Sequence, residues 1–293
     1  DINLSGAVLE INDYTPGDLL DFTAQNNING SWDLVSGRLT LTGIDSLANY
    51  ESAIAAVTFS SSSDDPTANG TLTSRQISIT VTDANRDGAL GLNGTRSSGA
   101  LSNSAGATIT LAAAGDAPVL QHGNTTTLSY TEAGAALAIS PALTISDADD
   151  SQLQKASVQI SNSGLSAGDR LDYTAISGIS GSYDQASGLL SFSGTASISD
   201  YQSLLRSVTY SSSSSNPAAT ANRTFSWKVV DANSDGAGAE ASTAVSTTIN
   251  VVGINQAPAL QIAPTALAYG ENDPAAALAA DLTLSDLDST QLT

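Results

Sequence analysis

Two hexapeptides, Asp83-Ala84-Asn85-Arg86-Asp87-Gly88 and Asp231-Ala232-Asn233-Ser234-Asp235-Gly236, set oxygen-bearing side chains at alternate positions and end on glycine. Alternate oxygens converge on one hard cation when glycine lets the chain bend back, so Asp83, Asn85, Asp87, Asp231, Asn233 and Asp235 are candidate calcium ligands. Position twelve of each loop is Gly94 or Ser242 instead of a bidentate glutamate, so a complete EF-hand is excluded. An ordinary acidic turn after a strand is the competing reading. A second acidic group, Glu132, Asp147 and Asp149, recurs as Glu271, Asp286 and Asp288. An Asp-x-Asp pair at the end of a strand brings two carboxylates to one locus, and a divalent ion between them relieves their repulsion. Asp116, just upstream, is placed to add an oxygen from a neighbouring domain. Calcium is the expected cofactor, bound in the ~10⁻⁴–10⁻³ M range of extracellular modules. It would stiffen a joint without folding a domain by itself.

Catalytic chemistry finds little support. Gly164-Leu165-Ser166-Ala167-Gly168 matches the G-x-S-x-G string of a nucleophile elbow, but no helical pattern follows it. His122 is the single histidine and falls at a domain junction, where a surface position is expected. The chain has no cysteine, which removes thiolate ligands, cysteine nucleophiles and disulfides together. Phosphate-binding glycine loops, zinc spacings and dinucleotide fingerprints are missing from the sequence. Paired carboxylates for glycoside hydrolysis stay open, because their separations are not readable from sequence. With 9 basic against 29 acidic side chains the net charge is -20, which repels nucleic acid and anionic head groups. No apolar run reaches the ~20 residues of a membrane span.

Internal repetition organises the elements that position these groups. Ala117-Pro118-Val119-Leu120 returns as Ala257-Pro258-Ala259-Leu260, a shift of 140, and Ser146-Asp147-Ala148-Asp149 as Ser285-Asp286-Leu287-Asp288, a shift of 139. Gly30-Ser31-Trp32-Asp33 matches Gly181-Ser182-Tyr183-Asp184, and residues 57–66 match 208–217, both shifted by 151. The units are therefore an N-terminally truncated repeat at 1–116, a complete repeat at 117–256 and the start of a third at 257–293. Ile77, Ile79 and Val81 alternate with polar residues, as do Phe225, Trp227 and Val229, which predicts half-buried strands with Trp227 near the centre of the fold. Leu39 and Leu41 correspond to Leu190 and Phe192 as inward positions, and Ile109 and Leu111 to Ile249 and Val251. Asp33-x-x-Ser36-Gly37 and Asp184-x-x-Ser187-Gly188 signal hairpins. One short helix per unit follows the N-caps Ser46 and Ser197, with Leu47, Tyr50, Ile54 and Val57, or Ile198, Tyr201, Leu205 and Val208, on its buried face. About eight strands in about 140 residues indicate an all-β protein of tandem immunoglobulin-like or cadherin-like sandwiches, with an antiparallel barrel as the alternative. Residues 1–35 and 257–293, as parts of incomplete units, are expected to be mobile or to pair with another chain.

The ordered string Thr131-Glu132-Ala133-Gly134, Ser146 to Asp149, Gly181 to Asp184, Gly188 to Gly194, Asp200 to Tyr210 and an Ala-Pro junction resembles the cadherin-like repeats of giant bacterial surface proteins, including RTX-type secreted adhesins. That resemblance implies export to the cell surface or medium, a rod of many tandem units and calcium at the domain ends. The family junction commonly reads Asn-Asp-Ala-Pro, whereas Gly115-Asp116-Ala117-Pro118 and Asn255-Gln256-Ala257-Pro258 each depart from it at one position. Glycine-rich nonapeptide repeats are absent from this window, which is expected to be a stretch of a longer polypeptide. The expected function is a non-enzymatic structural spacer or adhesion repeat, secreted or at the cell surface. Its partners would be neighbouring repeats and, through other domains, a host-cell or polysaccharide surface. The alternatives are a carbohydrate-binding module, with Trp32 and Tyr183 as sugar-facing aromatics, or a non-catalytic appendage of a secreted polysaccharide-active enzyme.

Overall fold

Period-two alternation is what builds the sheets, because every second side chain of a strand must find an apolar partner across the layer. The computed structural model describes residues 2–85, 101–123, 127–161, 163–217, 222–262, 266, 268–279 and 281–289. The chain divides into two compact units, residues 1–116 with 147–151 and 233–240, and residues 117–146 with 152–232 and 241–293. Among the described residues no helix is long and apolar enough to cross a membrane.

In the first unit the strands are β1 (Asn3–Ile11), β2 (Asp18–Asp21), β3 (Asn29–Asp33), β4 (Arg38–Ser46), β5 (Thr58–Ser61), β6 (Ser74–Asp83) and β7 (Ser102–Thr110), with helix α1 (Leu47–Ala55) between β4 and β5. One sheet runs β3-β4-β1-β6-β7 and the other pairs β2 with β5, all antiparallel. Leu9, Leu41 and Ile77 from the larger sheet, Leu20 from the smaller and Tyr50 from the helix share one core. Residues 1–35 contain β1, β2 and β3, and β1 is flanked on both sides, by β4 and β6.

The second unit contains β8 (Val119–Gln121), β9 (Leu128–Thr131), β10 (Leu137–Ala138), β11 (Thr144–Ser146), β12 (Gln152–Ile160), β13 (Asp169–Asp172), β14 (Ser180–Asp184), β15 (Leu189–Ser197), α2 (Ile198–Arg206), β16 (Thr209–Ser212), β17 (Asn222–Asp231) and β18 (Val245–Val252). Its sheets are β14-β15-β12-β17-β18-β9, β10-β16-β13 and β8-β11, and β9 joins β18 in parallel. A last pair, β19 (Ala259–Gln261) with β20 (Thr283–Ser285), repeats the register of β8 with β11. Strand β12 holds the place of β1, and even the bulge recurs, at Leu153/Lys155 and Leu4/Gly6. The sheets stay open and face each other, so the architecture is a sandwich and not a barrel. Trp227 is fully buried at its centre. His122 packs edge-on against it at 5.4 Å and shares a 2.6 Å hydrogen bond through Nδ1 with Ser140 Oγ. The surface position expected for this histidine is thus corrected: burial beside the indole pushes its pKa below the usual 6.5.

Both helices begin as the sequence indicates. Ser46 Oγ accepts from the Asn49 N–H at 3.3 Å, and Ser197 Oγ accepts from the Asp200 N–H at 3.1 Å. Leu47 departs from expectation, being 52% exposed, because the apolar face runs through Tyr50 and Ala53. Tyr50 and Tyr201 donate to the carbonyls of Gly43 and Gly194 at 2.6 and 2.7 Å. Those glycines have φ near 130°, and a Cβ would sit 1.9 or 2.1 Å from the carbonyl oxygen of Asn27 or Gly178, so no other residue fits.

Each unit also encloses an ion pair that pattern reading misses. Arg75 Nε donates to Asp18 Oδ2 and Arg223 Nε to Asp169 Oδ2, each at 2.6 Å with both side chains excluded from solvent. Further donors of the guanidinium reach Thr15 Oγ1 and the Pro66 carbonyl in one unit and the Pro217 carbonyl in the other. Burial works to raise the Asp18 pKa, but hydrogen bonds from Arg75, Thr15 and Ser61 outweigh it and hold the carboxyl below 3.8. Its contribution is therefore present above pH ~4 and lost as pH falls through the depressed value. Arg75→Met, which strands Asp18, is expected to destabilise the first unit by about 3–5 kcal/mol in urea unfolding, whereas Arg75→Met with Asp18→Leu recovers most of the loss. Equal stability of the single variant and the parent chain would refute a structural role for the pair.

Candidate metal centre

Strand β11 ends at Ser146, and the chain turns at once into Asp147-Ala148-Asp149-Asp150. Asp147 Oδ1 shapes the turn by accepting the N–H of Asp149 at 3.3 Å and of Asp150 at 3.1 Å. Asp149 Oδ2 accepts the Asp116 N–H at 2.8 Å, and Asp150 Oδ1 accepts both the N–H and the Oγ–H of Ser234. Each carboxylate thus spends one oxygen on protein donors. The second oxygens, Asp147 Oδ2, Asp149 Oδ1 and Asp150 Oδ2, are buried without a partner, and so is Asp235 Oδ2. Asp149 and Asp150 are only 2% and 4% exposed, so these oxygens are shut off from bulk solvent.

One ligand oxygen from each of Asp147, Asp149 and Asp150 lies within 4.8 Å of the other two. Ligands on opposite sides of a calcium ion, each at about 2.4 Å, are about 4.8 Å apart, so the three fit one coordination sphere. A hard cation also supplies what the orphaned oxygens lack. Burial, and next the neighbouring Asp149, pushes the pKa of Asp147 from 3.8 up to about 7.

The same loop is built again in the third copy. Asp286 Oδ1 accepts the N–H of Asp288 and of Ser289, each at 3.2 Å, and Asp288 Oδ2 accepts the Gln256 N–H at 2.6 Å. Glu132 is 6% exposed and belongs with this junction: Oε2 accepts the Ile254 N–H at 2.9 Å and Oε1 the Gln256 side-chain amide at 3.3 Å. It is not among the three clustered carboxylates. Glu271 is exposed.

The hexapeptide loops divide as well. Asp231 is fully buried at the end of β17, while Asn233 turns the chain at φ 56° and accepts the Gly238 N–H at 2.6 Å. Asp235 accepts the Ala237 N–H at 3.0 Å with its other oxygen. Asp83 accepts the Asn85 N–H at 3.1 Å, and Asn85 turns at φ 45°, repeating the left-handed asparagine. Asp87 lies outside the described residues. Sequence reasoning missed Asp150 and its anchor Ser234. The run Asp147-x-Asp149-Asp150 was the available signal, but Ser289 stands in the place of Asp150 in the third copy, so comparing copies conceals it. Trp32 and Tyr183 are half-buried, and Tyr183 donates to the Asp169 carbonyl at 3.1 Å.

The chain is similar to tandem cadherin domains of solved structures and to a domain of a streptococcal antigen I/II-family protein. A structure of protocadherin gammaB7 EC3-6 aligns over 93% of this chain and 52% of its own, at 15% identity and a TM-score of 0.28. Human CDH23 EC21-23 aligns over 97% and 74%, at 12% identity and a TM-score of 0.29. The C-terminal domain of the Streptococcus pyogenes antigen I/II-family protein AspA aligns over 85% and 84%, at 7% identity and a TM-score of 0.23. The chain spans about half the length of the protocadherin structure. No family model and no curated protein matches it.

Proton linkage distinguishes a cation site from a merely acidic turn. In the metal-free protein the stability contributed by protonated Asp147 is complete below pH 3.8 and lost as pH rises through about 7. A cation taking these oxygens as ligands would have to displace that proton. Calorimetric titration in buffers of different ionisation enthalpy is expected to show release of roughly one proton per ion near pH 6, vanishing above pH ~8 and absent in Asp147→Asn. Binding heat that is independent of buffer at pH 6 contradicts this assignment.

Proposed function

We propose that this chain is a stretch of tandem cadherin-like repeats that acts as a structural spacer in an adhesive, extracellular bacterial protein, and that calcium at the domain ends stiffens it. The observation that carries the reading is the buried set of unpaired oxygens on Asp147, Asp149 and Asp150. An uncompensated cluster of this kind costs stability unless a cation completes it. Recurrence of the turn at Asp286 and Asp288 supports a device used once per repeat. In both copies the second aspartate is tied to the backbone of the Ala-Pro junction, at Asp116 or Gln256, which couples the site to the segment where one repeat gives way to the next.

On this reading the repeats are 1–116, 117–256 and 257–293. The cation set is Asp147, Asp149 and Asp150, and Asp286 and Asp288 repeat its first two members one repeat along, with Glu132 at the same junction. The ordered motifs resembling RTX-type adhesin repeats favour a bacterial surface or secreted setting, and the repeats need no pocket of their own to serve it. The partners are the neighbouring repeats, and any receptor is engaged by other domains.

At tenfold saturation a single ion stabilises by about 1.4 kcal/mol. Scanning calorimetry at millimolar calcium is therefore expected to raise the melting temperature by a few degrees relative to chelator, and Asp149→Asn with Asp150→Asn to abolish that rise. An unchanged melting temperature at millimolar calcium rejects the calcium role.

A further inference from the structure

His122 and Ser140 make a polar contact at the margin of an apolar core. Leu120, Ile139, Leu143 and Ile145, from β8, β11 and the turn after β10, are at most 7% exposed and cover that margin in the second unit. The ladder that holds this cover is short, with three residue pairs joining β8 to β11 and two joining β10 to β16. Its fit is close at Gly123, where a Cβ would sit 2.6 Å from the Ala142 carbonyl oxygen. His122 ties the two parts of the cover together. Its Nδ1 lies 2.6 Å from Oγ of the fully buried Ser140, and the ring packs edge-on to Trp227 at 5.4 Å.

This contact suits a neutral imidazole. With Nδ1–H donating to Ser140 Oγ, Nε2 keeps a bare lone pair, and that atom is buried with no partner among the described residues. Protonation puts a second N–H and a positive charge there. The indole offers no acceptor, since its own N–H is donated to Thr247 Oγ1 at 2.8 Å, and its attraction for an imidazolium is weaker than the cost of burying an unpaired charged donor. The charged groups on the elements around the ring are Arg223, Lys228 and Asp231 on β17, Arg206 on α2 and Asp147 beyond β11. Arg223 is bound to Asp169, Lys228 is exposed on the strand face opposite to Trp227, and Asp231 lies four residues along from Trp227, about 13 Å. Arg206 donates to the Leu143 carbonyl at 2.6 Å, which adds like charge to the cover. Asp147 stands three residues beyond Thr144, the partner of Gln121. Burial is the cause that lowers the pKa of the ring below 6.5.

One repeat later both partners change together. Ile262 stands at the place of His122 and Ala279 at that of Ser140, while Gln121 is kept as Gln261 and the register of the strand pair is the same. A position that admits isoleucine has no packing need for histidine, so the polar pair adds a property to the second unit. We propose that the His122–Ser140 contact is an acid-released latch: protonation of His122 frees the cover made by β8, β10 and β11 and opens that margin of the second unit without unfolding the rest. Below pH 6.5 the open form takes up a proton that the closed form refuses, so opening gains up to about tenfold for each unit the pH falls, until the closed form's own value is reached. Above pH 6.5 the latch is shut. Because β11 runs directly into Asp147, release also loosens that turn, and this consequence alone rests on the proposed cation site.

His122 is the only histidine, so its ring resonances identify it directly. The full chain is titrated by NMR from about pH 8 to about pH 5 in chelator, so that cations play no part. Amide exchange, corrected for its intrinsic pH dependence, is followed by mass spectrometry over residues 119–123 and 137–146. The ring is expected to titrate below pH 6.5, and exchange in both segments to accelerate by up to about tenfold per pH unit below that value while β12 and β15 stay protected. His122→Ile with Ser140→Ala, the pair carried one repeat later, is expected to remove the acceleration, and comparison with the parent chain at each pH cancels the titration of Asp147 and the other carboxylates. A ring that titrates at or above 6.5 overturns the proposal, as does equal acceleration in the doubly substituted chain. Should that chain fail to fold, the unsubstituted chain decides: acceleration spread evenly over the second unit, or none below pH 6.5, rejects the latch.

Discussion

A sandwich depends on covering the inner faces of two sheets at once, and the contrast between the two units shows what that requires. Where β8 to β11 are present, Trp227, Phe225, Tyr210 and Ile249 lose all contact with solvent. Where no such strands are described, the same sheet order is kept but Ile79, Phe59 and Ile109 remain half-exposed. Four short strands, some of only two or three residues, therefore decide whether the core is closed. Their own stability comes from the apolar side chains they insert and not from their few ladder bonds.

Buried charge is the second organising feature, and it is resolved in two opposite ways. Asp18 and Asp169 are fully enclosed, yet each meets an arginine at 2.6 Å whose remaining donors are taken by oxygens nearby. Charge is cancelled inside the unit, and the tie links β2 to β6 and β13 to β17 across the two layers. At Asp147, Asp149 and Asp150 three carboxylates gather with backbone and serine donors but no cation of the protein's own among the hydrogen bonds they make. The first arrangement fixes the fold by itself. The second leaves one oxygen of each carboxylate without a donor from the protein.

Much of this was legible in the chain. Alternation placed Phe225, Trp227 and Val229 inward, the offset between copies separated core positions such as Leu190 from surface positions such as Arg38, and Ser46 and Ser197 marked both helix starts. The Asp33 and Asp184 turns form as their spacing indicates, with Ser36 and Ser187 donating to the aspartates at 2.6 Å and Gly37 and Gly188 at positive φ. These features are local, set by neighbours within a few residues, and local chemistry is what a sequence displays.

Other features depend on partners far apart in the chain. Arg223 meets Asp169 across 54 positions, and Ser234 meets Asp150 across 84. His122 is half-buried with Trp227 packed beside it, a neighbour that no spacing rule reveals. By itself the sequence determined the repeat, the strand periodicity, the turns and the choice of acidic loops, since each follows from residue type and short-range spacing. Only the tertiary structure decided which carboxylates share a site, which are neutralised by arginine and which apolar residues are left uncovered. Those outcomes depend on the distance between strands that the layered packing brings together.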